Sequence, residues 1–141
     1  MQPSDSVRDA MLRFMDRLSA NDVPAFDSIV SSDPATLVIG TAPGEWVVER
    51  DRLRYGFEVE GVTMRPGARA AAWEIGDAGW FVDEPTMTYP DGSSIATRLS
   101  AFFERENGAW KLVHMHVSVG VPDEEVVDLQ ARWLGELAGA E

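Results

Sequence analysis

Asn107-Gly108-Ala109-Trp110-Lys111-Leu112-Val113-His114-Met115-His116-Val117-Ser118-Val119-Gly120-Val121-Pro122 reads as one turn, one long strand and a stop. Asn-Gly is the preferred pair for a two-residue hairpin, because both positions need a positive φ. Trp110–Val119 is rich in aromatic and β-branched side chains, which suit a pleated surface. Pro122 has no N–H to offer a ladder. Upstream, the hairpin's other arm is predicted over Ser94–Arg105, after a turn at Pro90-Asp91-Gly92. Before that come Trp80–Tyr89 and Ala68–Ile75, separated by Gly76-Asp77-Ala78-Gly79. Strands this long in a twisted sheet must curl.

The other half is helical. Val7, Met11, Phe14, Met15 and Leu18 recur at helical spacing within Ser6–Ala20, with Ser4 or Ser6 able to cap the start. A short helix follows, capped by Asn21 or Asp22 with Pro24 in its first turn, and burying Val23, Phe26, Ile29 and Val30. Asp33-Pro34 ends it. Thr36–Ile39 is predicted as a strand, Gly40–Gly44 as a loop and Val48–Val59 as a helix with Leu53, Tyr55, Phe57 and Val59 on its apolar side. A last helix starts at Pro122-Asp123 and presents Val126, Val127, Leu129, Trp133, Leu134 and Leu137. Helices first and hairpins afterwards predict an α+β fold, one domain over residues 1–141, with the N-terminal helices on a highly curved antiparallel sheet. Such a sheet encloses a pocket in which a small ligand can sit.

Composition narrows the function. Twelve Lys and Arg stand against 24 Asp and Glu, a net charge of −12 that repels nucleic acid and anionic membranes. No Cys is present, which removes thiolate metal sites and cysteine nucleophiles and suits a reducing, cytoplasmic setting. No apolar run has the length of a membrane span, and Met1–Met11 lacks the pattern of a secretory signal. The two histidines, His114 and His116, share one face of a strand but lack a third His or a Cys to complete a metal site, so no metal is expected. No Walker, dinucleotide or Ser-His-acid motif appears either, and no cofactor is expected.

The order of elements resembles the nuclear-transport-factor-2-like fold of the SnoaL-like proteins and ketosteroid isomerases. The run from Asn107 to Pro122 resembles the closing strand of SnoaL-like proteins and of the association domains of calmodulin-dependent kinases, in which Trp leads to His-x-His-x-Ser and then proline. Ala96-Thr97-Arg98 is similar to a Thr-Arg pair in those association domains, and Ile39–Trp46 to a loop of bacterial SnoaL-like members. The resemblance implies a cone with an internal pocket. Departures from the enzymes of this fold are as informative. The first helix has no tyrosine for an oxyanion, Val117 stands where the cyclases place an aspartate, and Arg98-x-Ser100 replaces the Arg-x-Asp of the epoxide hydrolases.

The residues that could carry chemistry follow. Asp83 and Glu84 are predicted mid-strand; one of them, facing an apolar pocket, would be a general base of raised pKa, as in the isomerases of this fold. Arg98 lies in an otherwise apolar strand and needs a carboxylate or an anionic ligand; in the association domains the matching arginine lines the pocket. Trp46, in a Gly/Pro-rich loop, is placed to contact a ligand at the pocket mouth. Tyr55, on the third helix, and Met115 and Val117, on the core-facing side of the last strand, complete the candidate ligand-binding set. Alternation along that strand puts Val113, Met115, Val117 and Val119 inward and both histidines outward. Leu99, Phe103, Trp110 and Leu112 would then form an outer apolar surface that a second copy covers. The sequence points first to a dimeric domain binding a small apolar or anionic molecule, second to an isomerase or cyclase, and third to an oligomerisation module.

Overall fold

The computed structural model describes residues 1–138 and the side chains of residues 1–135. Helix α1 spans Asp5–Ser19 and buries Val7, Met11, Phe14, Met15 and Leu18, the five residues its spacing selects. Ser4 caps it, its Oγ accepting from Val7 N–H at 3.2 Å and donating to Glu74 at 2.7 Å. A 3-10 turn over Val23–Ala25, capped by Asp22, runs into α2, Phe26–Ile29. Asn21 is not the cap. It adopts a left-handed φ of 52°, and its Nδ2 donates to the carbonyls of Phe57 (3.1 Å) and Val59 (2.8 Å). Those bonds serve carbonyls left free at the end of α3, Arg50–Glu58.

The strands are β1 (Gln2–Pro3), β2 (Leu37–Ile39), β3 (Trp46–Val47), β4 (Thr63–Arg65), β5 (Ala71–Ile75), β6 (Ala78–Asp83), β7 (Thr86–Thr88), β8 (Ser94–Ala96), β9 (Arg98–Glu106) and β10 (Ala109–Ser118). Seven of them form the main sheet in the order β1-β5-β6-β9-β10-β2-β3, antiparallel except where β2 runs parallel to β10. β4, β7 and β8 form a second sheet. The expected strands Trp80–Tyr89 and Ser94–Arg105 are each divided, because Pro85 interrupts one ladder and Thr97 the other. Thr97 donates both its N–H (3.0 Å) and its Oγ1–H (2.8 Å) to the carbonyl of Pro85, which fixes the corner where the chain leaves one sheet for the other. The curl is thus made at a hydrogen-bonded corner.

Asn107 and Gly108, with φ of 50° and 82°, make the hairpin that joins β9 to β10. Along β10 the register slips between Leu112 and His114, so that Val113 is an extra residue, a β-bulge. Trp110 and Leu112 before the bulge and Met115 and Val117 after it all face the core. The outer apolar surface expected of Leu99, Phe103, Trp110 and Leu112 therefore does not exist. Their exposures are 3, 1, 6 and 0%. The last helix, α4 (Asp123–Ala138), leaves Val127, Trp133 and Leu134 exposed; Leu137 lies outside the described side chains.

Candidate functional site

A cavity of about 360 Å³ opens between α3, the strands β2 and β3, and the inner face of β10. Its deep wall is apolar. Phe14 and Leu18 come from α1, Phe26 and Val30 from α2 and its end, Phe57 from α3, Met64 from β4, and Leu112, Met115 and Val117 from β10. Phe57 holds the floor by edge contacts with Phe14 and Phe26, ring centroids 5.5 Å apart in each case. Thr41, Glu45, Arg52 and Tyr55 on the lining are exposed and define the mouth, and Tyr89 is half-buried.

The α3 wall is held by charge. Arg50 donates to Asp27 at 2.6 Å and Arg54 to the same carboxylate at 3.1 Å. Both guanidinium groups lie 4.8 Å from the centroid of the Phe26 ring, within cation–π range. The hydrogen bond from Arg50, reinforced by Arg54, holds the Asp27 carboxyl below its ordinary pKa.

Of the candidate ligand-binding residues, Tyr55, Met115 and Val117 line this cavity. Trp46 does not: it is 62% exposed, and its neighbours Glu45 and Val47 take the lining positions. Arg98 also lies elsewhere. Leu99, Ala101 and Phe103 occupy the inner face of β9, so Arg98 stands exposed on the outer face, beside Gly120. The carboxylates Glu74, Glu84 and Asp83 are engaged with other groups. Glu74 accepts from Ser4 and lies 3.7 Å from Arg105, and Glu84, which is exposed, lies 3.5 Å from Arg69. Asp83 is buried, but its two oxygens accept the N–H groups of Gly67 and Glu84, each at 2.8 Å. It braces the chain around Gly67 and lies off the cavity lining.

Neither histidine reaches the cavity. His114 is half-buried on the outer face, its Nδ1 2.8 Å from the carbonyl of Leu37, and His116 is exposed. Among the described residues no group of three or more His, Asp or Glu could hold a metal ion, and no helix is long and apolar enough to cross a membrane.

Sequence reasoning missed Arg52, Glu45 and Thr41 at the mouth and much of the deep wall. Leu53 and Phe57, four residues apart on one helical face, were the available signal for the wall. Nothing in Arg50-Asp51-Arg52-Leu53-Arg54 sets Arg52 apart from its neighbours.

The profile of the SnoaL-like domain matches residues 7–122. The chain belongs to the SnoaL-like domain family. Among solved structures, this SnoaL-like domain is similar to an NTF2-like protein from Cytophaga hutchinsonii, with 16% identity, coverage of 82% of this chain and 97% of that one, and a TM-score of 0.69. An NTF2-like superfamily protein from Salmonella enterica serovar Typhimurium shares 18% identity over 83% of this chain and 90% of its own, with a TM-score of 0.68. The association domain of C. elegans CaMKII shares 17% over 80% and 92%, with a TM-score of 0.64. Identities this low establish the fold alone. No curated protein matches the chain significantly.

Proposed function

We propose that this SnoaL-like domain binds a small, mainly apolar molecule in its cone cavity and does so as a homodimer. The observation that carries the first part is an open cavity of about 360 Å³ whose deep wall is made of aromatic, aliphatic and methionine side chains. Ligand sites are usually about 300–1,000 Å³ and mainly apolar. A domain serving only to oligomerise has no need of a hollow. An isomerase or cyclase needs a carboxylate or other base in the depth of the cavity, but the charged lining residues, Glu45 and Arg52, are exposed at the mouth. Binding is therefore preferred over proton-transfer catalysis.

The test uses the neutral fluorophore N-phenyl-1-naphthylamine, which brightens in apolar surroundings. The wild-type protein should bind it at one site per chain. Val117→Phe, which adds a ring to the lining, should abolish that site while the circular dichroism spectrum is retained. Equal brightening by wild type and a folded Val117→Phe protein would overturn the reading.

The dimer reading rests on the outer face of the sheet. Trp73, Trp80, Phe102, His114 and Leu37 are successive cross-strand partners on β5, β6, β9, β10 and β2. Trp73 and Trp80 stack at 4.4 Å, and Phe102 and Ile75 remain 39% and 59% exposed. A second copy covering this row would remove it from water. Sedimentation should show a dimer at micromolar concentration, shifted towards monomer by Phe102→Asp. A wild-type monomer would overturn the dimer without touching the cavity.

A further inference from the structure

We infer that the cavity mouth selects a ligand with a single carboxylate head group, held at Arg52 while its apolar body fills the cone. The inference rests on the proposed cavity binding and adds the chemistry of the ligand's polar end. The deep wall offers a ligand no charged partner, so a polar group on the ligand must stay at the mouth, where the charged lining residues are Arg52 and Glu45.

These two are not equally available. Glu45 is turned back over its own loop, its Oε2 accepting the Ala42 N–H at 2.9 Å. Gly40 makes that turn possible, because a Cβ there would lie 2.1 Å from the same oxygen. Among the described residues Arg52 faces one carboxylate, Glu49, at 3.5 Å, with the two side chains 58% and 60% exposed. An exposed pair of this kind is weak and engages one nitrogen of a guanidinium that carries five N–H donors. Tyr55 lies three residues on, on the same helical face, and Tyr89 and Thr41 add hydroxyls to the lining. The mouth is thus rich in donors, and its carboxylate is committed to the loop. A guanidinium fork beside hydroxyl donors matches a carboxylate better than an ammonium or an uncharged alcohol. The chain's overall charge of −12 does not reverse this preference, because at physiological salt charges beyond about 8 Å are largely screened.

Calorimetric titration with decanoate, decanol and decylamine, whose alkyl chains are matched, tests the inference on the intact protein. Decanoate should bind about tenfold more tightly than decanol, with decylamine weakest, and Arg52→Gln should erase the difference between decanoate and decanol. Arg52→Lys, which keeps the charge and loses the fork, should restore part of it. Equal affinity for decanoate and decanol in the wild type, or a preference for decylamine, would overturn the carboxylate inference and leave the cavity reading standing. An undiminished preference for decanoate in Arg52→Gln would overturn the role of Arg52. Binding of none of the three would overturn the cavity reading, and this inference with it.

Discussion

The hairpin end and the mouth end of the cone share strands β9 and β10, yet one is filled and the other hollow. At the hairpin end α1 lies so close to β6 that a Cβ on Gly79 would sit 2.6 Å from a methyl of Val7 and 3.5 Å from the Trp110 ring. Val7 and Met11 have no exposed surface there, and Phe103 has 1%. At the mouth end Met115 and Val117 turn equally apolar side chains towards about 360 Å³ of unfilled space. A sealed dry void of that volume would cost on the order of 9 kcal/mol at about 24 cal/mol per Å³, as much as the whole stability of many domains. An open mouth avoids that cost by admitting water or a ligand. The contrast teaches that this fold is closely packed at one end and keeps the proposed binding cavity at the other, with the Val113 bulge between them keeping both halves of β10 turned inward.

The comparison can be broken most directly at Phe103. Phe103→Ala should cost about 3–5 kcal/mol, read from urea denaturation, because it empties a site already packed on all sides. Gly79→Ala should cost about 1–3 kcal/mol through the clash with Val7. Val117→Ala at the mouth should cost less than about 1.5 kcal/mol, since it loses transfer free energy while enlarging a space that is already open. A Val117→Ala loss as large as that of Phe103→Ala would mean that the mouth end is packed like the hairpin end.

The same contrast explains which parts were legible in the sequence. α1 could be read residue by residue, because Val7, Met11, Phe14, Met15 and Leu18 obey one period from end to end. Asn107-Gly108 fixed its hairpin by backbone geometry alone. β10 could not be read through, because its period breaks at Val113. Carrying strict alternation across a bulge reverses the face of every residue on one side of it. That reversal put Trp110 and Leu112 outside. Arg98 was drawn inward for another reason, as a charge in an otherwise apolar strand that resembles the pocket arginine of the association domains, and it stands exposed. Asp83 was expected mid-strand, with Glu84, as a candidate general base facing the pocket, but it ends β6 and lies off the cavity lining. Its partners are backbone N–H groups around Gly67, which no side-chain pattern announces. Arg52 was hidden for a different reason: a mouth residue is exposed, and its composition is that of any solvated helix face.

The smallest effect, and the one that asks whether the two ends are independent, concerns two carboxylates. Asp27 clamps α3 to α2 beside the cavity, and hydrogen bonding from Arg50 lowers its pKa. Glu74 sits at the hairpin end, its pKa lowered chiefly by hydrogen bonds from Ser4 and Gln2. For both, the folded value lies below the unfolded one, so each contributes stability that is complete above its ordinary value of 3.8 or 4.5 and is lost as pH falls through the lowered one. Stability should therefore be insensitive to these groups between pH 7 and 5 and should decline below that range. Asp27→Asn and Glu74→Gln should each lower the melting temperature slightly at neutral pH, and each gap from wild type should close in acid. Only Asp27→Asn should also weaken naphthylamine binding at neutral pH, because Arg50 and Arg54, which flank Phe26 on the cavity wall, lose their shared anchor. If Glu74→Gln weakens the probe as much as Asp27→Asn does, the hairpin end is coupled to the mouth and the division between a stabilising end and a binding end fails.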